Sequence, residues 1–123
     1  MEIYYTPDDD WISVAAGVAT IGITEQGQAR LGAIMFVQLP AMGTRLRRGG
    51  AAALIESVKS ASDVFAPIGG TVRAINAALD LQPSLVNVDP EGAGWLFRLT
   101  LADPAELTGL LRRDAYMALV RQP

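Results

Sequence analysis

Cysteine and histidine are both absent from this 123-residue chain. Without cysteine there is no disulfide framework, no thiolate metal centre and no cysteine nucleophile. Without histidine the commonest general base and the commonest metal ligand are gone, which excludes a Ser-His-Asp triad and a zinc hydrolase. Lysine is nearly absent too. Lys59 is the only one, and the other basic residues are Arg30, Arg45, Arg47, Arg48, Arg73, Arg98, Arg112, Arg113 and Arg121. These are scattered, the net charge is −3, and no basic stripe for nucleic acid appears. No apolar run approaches the roughly 20 residues that span a bilayer. The acidic start Met1–Trp11 has neither the basic nor the apolar segment of a signal peptide. A cytoplasmic protein with no nucleic-acid or membrane partner is expected.

What is present suits one domain over 1–123. Half the residues are apolar, enough for a core without staples. Trp11–Val14 and Val18–Ile23 read as strands around a tight turn at Ala16-Gly17. Thr24–Gly32 reads as a brief helix with Thr24 as N-cap and Gly32 as its stop. Ala33–Leu39 reads as a buried strand ended by Pro40, and Pro40–Gly50 as polar turns. Two extended runs flank Lys59, giving a hairpin over about 51–66. Thr71–Ile75 and Trp95–Leu101 alternate as strands, with a long loop expected over Leu81–Gly94. A helical C-terminal segment is expected over about 103–121, with Asp103 as cap, Pro104 in the first turn, Glu106 three residues after the cap, and a second helix from Asp114 carrying Tyr116, Leu119 and Val120. Short strands with helices at the edges predict a mainly β fold, a sandwich or flattened barrel.

Asp8-Asp9-Asp10 is expected to be a solvated charge run, because three successive strand residues cannot face one ion. Gly69-Gly70 lacks a following Gly-Lys-Ser/Thr and reads as a turn. Trp11, Trp95, Phe36 and Phe97 are expected in the core.

Lys59 sits in "ESVKS", Glu56–Ser60. Only lysine offers a primary amine that ordinary cell chemistry acylates to a stable amide, since the guanidinium of arginine stays protonated. A lone lysine on a hairpin tip therefore suits a covalent acyl group. Val58 would fix a strand-like approach, Ser57, Ser60 and Ala61 leave room for a modifying enzyme, and Glu56 and Asp63 bracket the amine with negative charge. The plain alternative is a solvated lysine that survived in an arginine-biased composition.

The segment Glu56–Gly70, "ESVKSASDVFAPIGG", resembles the lipoyl-attachment segment of the glycine cleavage system H proteins. "YTPDDDWISV", "VATIGITEQGQARLGAIMFVQLP" and "LVNVDPEGAGWLFRL" resemble other segments of that family, in its order and at its spacing, over nearly the whole chain. The resemblance implies a barrel-sandwich hybrid of two antiparallel sheets with short peripheral helices and a C-terminal helix, acting as a monomeric, non-catalytic carrier. It implies covalent lipoate on Lys59, recognised through Glu56, Ser57, Val58 and Asp63 by a lipoylating enzyme. It implies as partners a pyridoxal-phosphate-dependent glycine decarboxylase, a tetrahydrofolate-dependent aminomethyltransferase and dihydrolipoyl dehydrogenase, between which the arm shuttles the aminomethyl group of glycine. It also implies that the loaded arm docks near Asp10 and Asp63. No catalytic residue and no metal are implied.

The chain departs from the family pattern in three places, one of them the blander Gly49–Ile55, which bears on packing. Asp8-Asp9-Asp10-Trp11 stands where a His-Glu-Trp element is usual, and Gln26 where a histidine is frequent. A biotinyl domain would present Met-Lys-Met, and a 2-oxoacid dehydrogenase lipoyl domain Asp-Lys-Ala; "ESVKS" matches neither. A second reading is a carrier-like paralogue that has lost glycine cleavage and relays lipoyl groups or serves as an interaction module.

Overall fold

Apolar residues at every second position make half-buried strands that must cover one face. The structure, a computed structural model, describes residues 1–122 and shows how this chain does so. In chain order the elements are strands β1 (Glu2–Tyr5), β2 (Asp10–Ala15) and β3 (Val18–Ile23), helix α1 (Glu25–Leu31), strands β4 (Ile34–Gln38), β5 (Arg45–Leu46), β6 (Ala51–Ser57), β7 (Ala61–Phe65) and β8 (Gly70–Ile75), helices α2 (Ala78–Leu81) and α3 (Leu85–Val88), strand β9 (Phe97–Leu101), a 3₁₀ turn (Pro104–Gly109) and helix α4 (Arg113–Val120). Six strands form one sheet in the order β1-β2-β3-β9-β8-β5, and three form another in the order β4-β6-β7. Every pairing is antiparallel. Ile12, Ala19, Ile21, Phe97, Leu99 and Val72 of the large sheet meet Ile34, Val37, Ala53, Ile55 and Val64 of the small one in a single core. The architecture is the expected one, mainly β with two antiparallel sheets, and it stays open rather than closing into a barrel.

The β2–β3 turn has Ala16 at φ 51° and Gly17 at φ 77°, the left-handed pair a two-residue hairpin requires. Trp11 faces Gly22 across this hairpin, and its ring covers the glycine where a Cβ would come within 2.7 Å. Its indole Nε1–H donates to the Pro90 carbonyl at 2.9 Å, tying the long segment after α3 to the sheet.

Several sequence expectations are corrected. Ala33–Leu39 is only half buried. Ile34 and Val37 face the core, whereas Phe36 is 49 % exposed on the outer face, opposite Glu56. Trp95 is likewise half-buried, stacked under the Arg98 guanidinium at 4.1 Å. The segment Leu81–Gly94 is not a plain loop. It holds α3, whose Val86 is fully buried against the core, a single apolar anchor too short to show periodicity. Glu106 does not close a capping box. Its carboxylate instead accepts from the buried Gly69 N–H at 2.7 Å, just before β8 begins. Asp103 caps as expected, accepting from Ala105 N–H, but the turn it starts is 3₁₀ rather than α.

Candidate functional site

The β6–β7 hairpin places Lys59 at its tip. Ser57 N–H donates to the Ser60 carbonyl at 2.8 Å, and the Ser57 hydroxyl accepts from Lys59 N–H and Ser60 N–H, each at 3.3 Å. Ser57 thus closes the turn that presents Lys59. Val58 projects outward, 63 % exposed, yet its N–H donates to the Ala33 carbonyl at 3.0 Å, so the tip leans on the segment between α1 and β4. The exposed Lys59 side chain folds the same way. Its Nζ donates to the Arg30 carbonyl in the last turn of α1 at 3.1 Å. A cation there meets the negative end of the helix. The lysine stem crosses Gly32, which ends the helix at φ 82°, and a Cβ at that position would come 2.9 Å from Lys59 Cε.

Beside this tip lies a cleft of about 370 Å³ between the loop Pro7–Asp10, one side of α1 and the edge strand β7. Asp10 and Asp63 both line it, and Ile23, Leu31 and Ile55 supply apolar wall. Asp63 is exposed at the rim, whereas Asp10 is only 7 % exposed. The tertiary fold therefore brings two carboxylates distant from each other in sequence, Asp10 and Asp63, into one cleft.

Asp10 owes its position to Thr6. The Thr6 hydroxyl donates to Asp10 Oδ2 at 2.9 Å and accepts from the Asp10 and Asp8 N–H groups at 3.2 Å, while Thr6 N–H donates to the Asp10 carbonyl. Burial raises the Asp10 carboxyl from an ordinary 3.8 to about 7; the Thr6 hydrogen bond and Arg30 pull it down, while Asp8 and Asp9 push it up. Asp9 sits in the left-handed region at φ 66°. Its Oδ2 accepts from Arg30 at 2.9 Å and its Oδ1 from the Tyr116 hydroxyl at 2.7 Å. The loop presses on α1 at Gly27, where a Cβ would come 3.0 Å from Asp9 Cβ. Burial and the adjacent Asp9 raise the Tyr116 hydroxyl above its ordinary value.

The expectation of a solvated aspartate run is thus overturned for two of the three residues: Asp10 is buried and Asp9 is ion-paired, leaving Asp8 to solvent. Glu56 and Asp63 do not pair with Lys59; among the described residues the ion pairs are Arg30–Asp9 and Arg112–Glu2. Gln26 lies on α1 facing the groove toward α4 rather than the acid-lined cleft. Thr6, Arg30, Gly27 and Tyr116 carry no role in the sequence reading, and Asp9 only as part of the aspartate run. Thr6-Pro7-Asp8 carries a turn signal that could have marked Thr6, but nothing local announces the partners of Asp9, which lie 21 and 107 residues away.

Residues 3–123 match the family described as glycine cleavage H-protein. The chain is 50 % identical over 119 residues to the glycine cleavage system H protein of Bartonella quintana, covering 97 % of this chain and 98 % of that one. It is 44 % identical over 118 residues to that of Thermotoga maritima, covering 96 % and 95 %. The crystal structure of a glycine cleavage system H protein from Mycobacterium marinum superposes with a TM-score of 0.89 at 31 % identity, covering 98 % of each chain. With likeness running almost end to end in sequence and structure, the chain belongs to the glycine cleavage H-protein family.

Proposed function

We propose that this protein is the lipoyl carrier of a glycine cleavage system, with the lipoyl group held in amide linkage on Lys59. The observation that carries the reading is the position of Lys59, alone on the tip of the β6–β7 hairpin and bonded to the carbonyl of Arg30, a residue that also lines the Asp10–Asp63 cleft. The residues present fit the group. The amine is exposed, held by one hydrogen bond, and its stem rests on a glycine cradle that any Cβ would fill. When bound, the group would supply a disulfide, one sulfur of which could carry the aminomethyl unit of glycine while the other is left as a thiol, chemistry this chain could not perform with its own side chains.

The protein's part is tethering and shelter. Lys59 joins the arm to a rigid two-stranded tip, so one tether serves several enzymes at high effective concentration. Asp63, and Asp10 once pH rises through about 7, supply negative charge for a cationic amine, and the dry setting of Asp10 makes its charge count for more than one in water. Ile23, Leu31 and Ile55 offer the apolar wall that a hydrocarbon arm needs. Glu56, Ser57, Val58 and Asp63 frame the amine for the lipoylating enzyme. A pyridoxal-phosphate-dependent decarboxylase, a tetrahydrofolate-dependent aminomethyltransferase and dihydrolipoyl dehydrogenase would visit the arm in turn. The relatives named above all carry the glycine cleavage name, and the reading of a paralogue outside that system is not kept.

Intact and peptide mass analysis of protein from its native host tests this. One lipoyl group on the peptide containing Lys59 is expected, and none on a Lys59→Arg protein expressed in the same host. A Lys59→Arg protein that still supports exchange of carbon dioxide with glycine overturns the proposal.

A further inference from the structure

Helix α4 lies outside the cleft, yet it reaches the cleft's acidic loop through one hydroxyl. Tyr116 is buried, stacked on Tyr5 with ring centroids 4.7 Å apart and planes 8° from parallel. Its hydroxyl is 2.7 Å from the Thr24 Oγ1 and donates to Asp9 Oδ1 at 2.7 Å. Thr24 Oγ1 in turn accepts from Gly27 N–H at 3.1 Å, and Thr24 N–H donates to the Asp9 carbonyl at 2.9 Å. The chain Thr24–Tyr116–Asp9 is therefore continuous, each hydroxyl both accepting and donating, an arrangement in which successive bonds strengthen one another.

Asp9 needs such a hold. Its φ of 66° is one that side-chain-bearing residues seldom adopt, and it persists where the surroundings over-determine it. Tyr116 grips one carboxylate oxygen, Arg30 the other, and α1 receives the backbone at Gly27. The next residue is Asp10. If Asp9 relaxed toward a common φ, the chain direction at Asp10 would turn and its carboxylate would leave the Thr6 hydroxyl and the dry side of the cleft.

We infer that Tyr116 is a positioning residue for the cleft: by holding Asp9 in its left-handed turn, the C-terminal helix sets the aim and the dryness of Asp10. This rests on the carrier reading for its purpose but not for its test. The charged groups around Asp10 are Asp8 and Asp9 on its own loop, Arg30 on α1 and Asp63 across the cleft on β7.

The test uses the full-length, unlipoylated protein and follows the Asp10 carboxyl carbon by NMR through a pH titration, with amide exchange of Thr24 as a second readout. Tyr116→Phe keeps the ring stack and removes the grip on Asp9. It should lower the Asp10 midpoint by about one unit as water enters, and speed Thr24 exchange about tenfold. Tyr5→Phe is the matched control. It removes a hydroxyl from the same stack, one that bonds Arg113 and not Asp9, and should leave both readouts at parental values. Asp9→Asn and Asp9→Ala read the contact from its other end: both delete the charge, but only Asn keeps an acceptor for Tyr116, so the Ala variant should show the lower Asp10 midpoint and the faster Thr24 exchange. Unchanged readouts in Tyr116→Phe, equal shifts in Tyr116→Phe and Tyr5→Phe, or equal behaviour of the two Asp9 variants overturns the inference. The carrier reading would stand through any of these, since it is judged by mass and exchange activity of the parent.

Discussion

The ammonium of Lys59 donates to the carbonyl of Arg30 at 3.1 Å, and Arg30 turns its side chain the other way to pair with Asp9 at 2.9 Å. One residue of α1 thus touches both Lys59, the proposed attachment point, and the acidic loop of the cleft. The backbone contact survives acylation in principle, because an amide nitrogen keeps one hydrogen to donate.

Gly32 should be intolerant of a side chain. Its φ of 82° disfavours any Cβ, and the added atom would press on the Lys59 stem. Gly32→Ala is expected to destabilise the protein by about 1–2 kcal/mol in urea unfolding. Lys59→Ala in the Gly32→Ala background, which removes the crowding stem, should recover less than half of this if the left-handed backbone is the main cost.

Lys59→Arg should leave the fold intact. The side chain is exposed and a cation is kept near the α1 carbonyls, so the change in unfolding free energy should stay within about 0.5 kcal/mol. Lipoylation and glycine–carbon dioxide exchange should both vanish. A shift of several degrees in melting temperature would show that the Arg30 contact is structural.

Asp10 makes stability fall with pH. Its carboxyl titrates near 7 in the folded protein against an ordinary 3.8, chiefly because burial penalises the charged form. Between those values the folded state holds a proton that the unfolded chain has released, so this contribution is fully favourable near pH 4 and is lost as pH rises through 7. Asp10→Asn removes the cost and keeps an acceptor for Thr6. The variant should gain about 2–4 kcal/mol over the parent at pH 8 and little at pH 4, measured by denaturant unfolding at both. The same change should speed loss of the aminomethyl group from the loaded, isolated carrier, so stability and retention move in opposite directions.

Asn87 should matter to stability more than its half-buried place suggests. Its side chain accepts from Ile34 N–H at 2.9 Å and donates to Gln28 Oε1 and the Gly32 carbonyl, both at 2.9 Å. It joins α1, β4 and α3 at the point where Lys59 leans. Asn87→Ala is expected to cost about 2 kcal/mol through unpaired backbone groups, read as a lower denaturation midpoint with an unchanged slope.

Glu56 lies exposed beside Phe36 and pairs with no cation among the described residues. Glu56→Ala should change stability by less than about 1 kcal/mol while slowing attachment by the lipoylating enzyme. Equal attachment rates would remove Glu56 from recognition.

Local order was legible from the chain itself wherever one short segment contains its own reason. The Ala16-Gly17 turn, the Thr24 cap and Gly32 stop of α1, the strands on either side of Lys59 and the Asp103 cap each rest on contacts among near neighbours, and each appears in the fold. The pentapeptide holds the chain's only lysine, and the fold sets it on the hairpin tip. Phe36, α3 and the partner of Glu106 were not legible, because exposure of an apolar ring, burial of one valine and the need of a distant N–H are settled by what lies across the sheet. The acid cleft shows the division most sharply. Three successive aspartates read as one solvated run, yet Asp8 is left in water, Asp9 is turned left-handed between Arg30 and Tyr116, and Asp10 is buried against Thr6. Chain composition decided that carboxylates would be there. Only the tertiary structure decided which of them is dry, because desolvation of Asp10 depends on how Thr6, α1 and β7 pack around it.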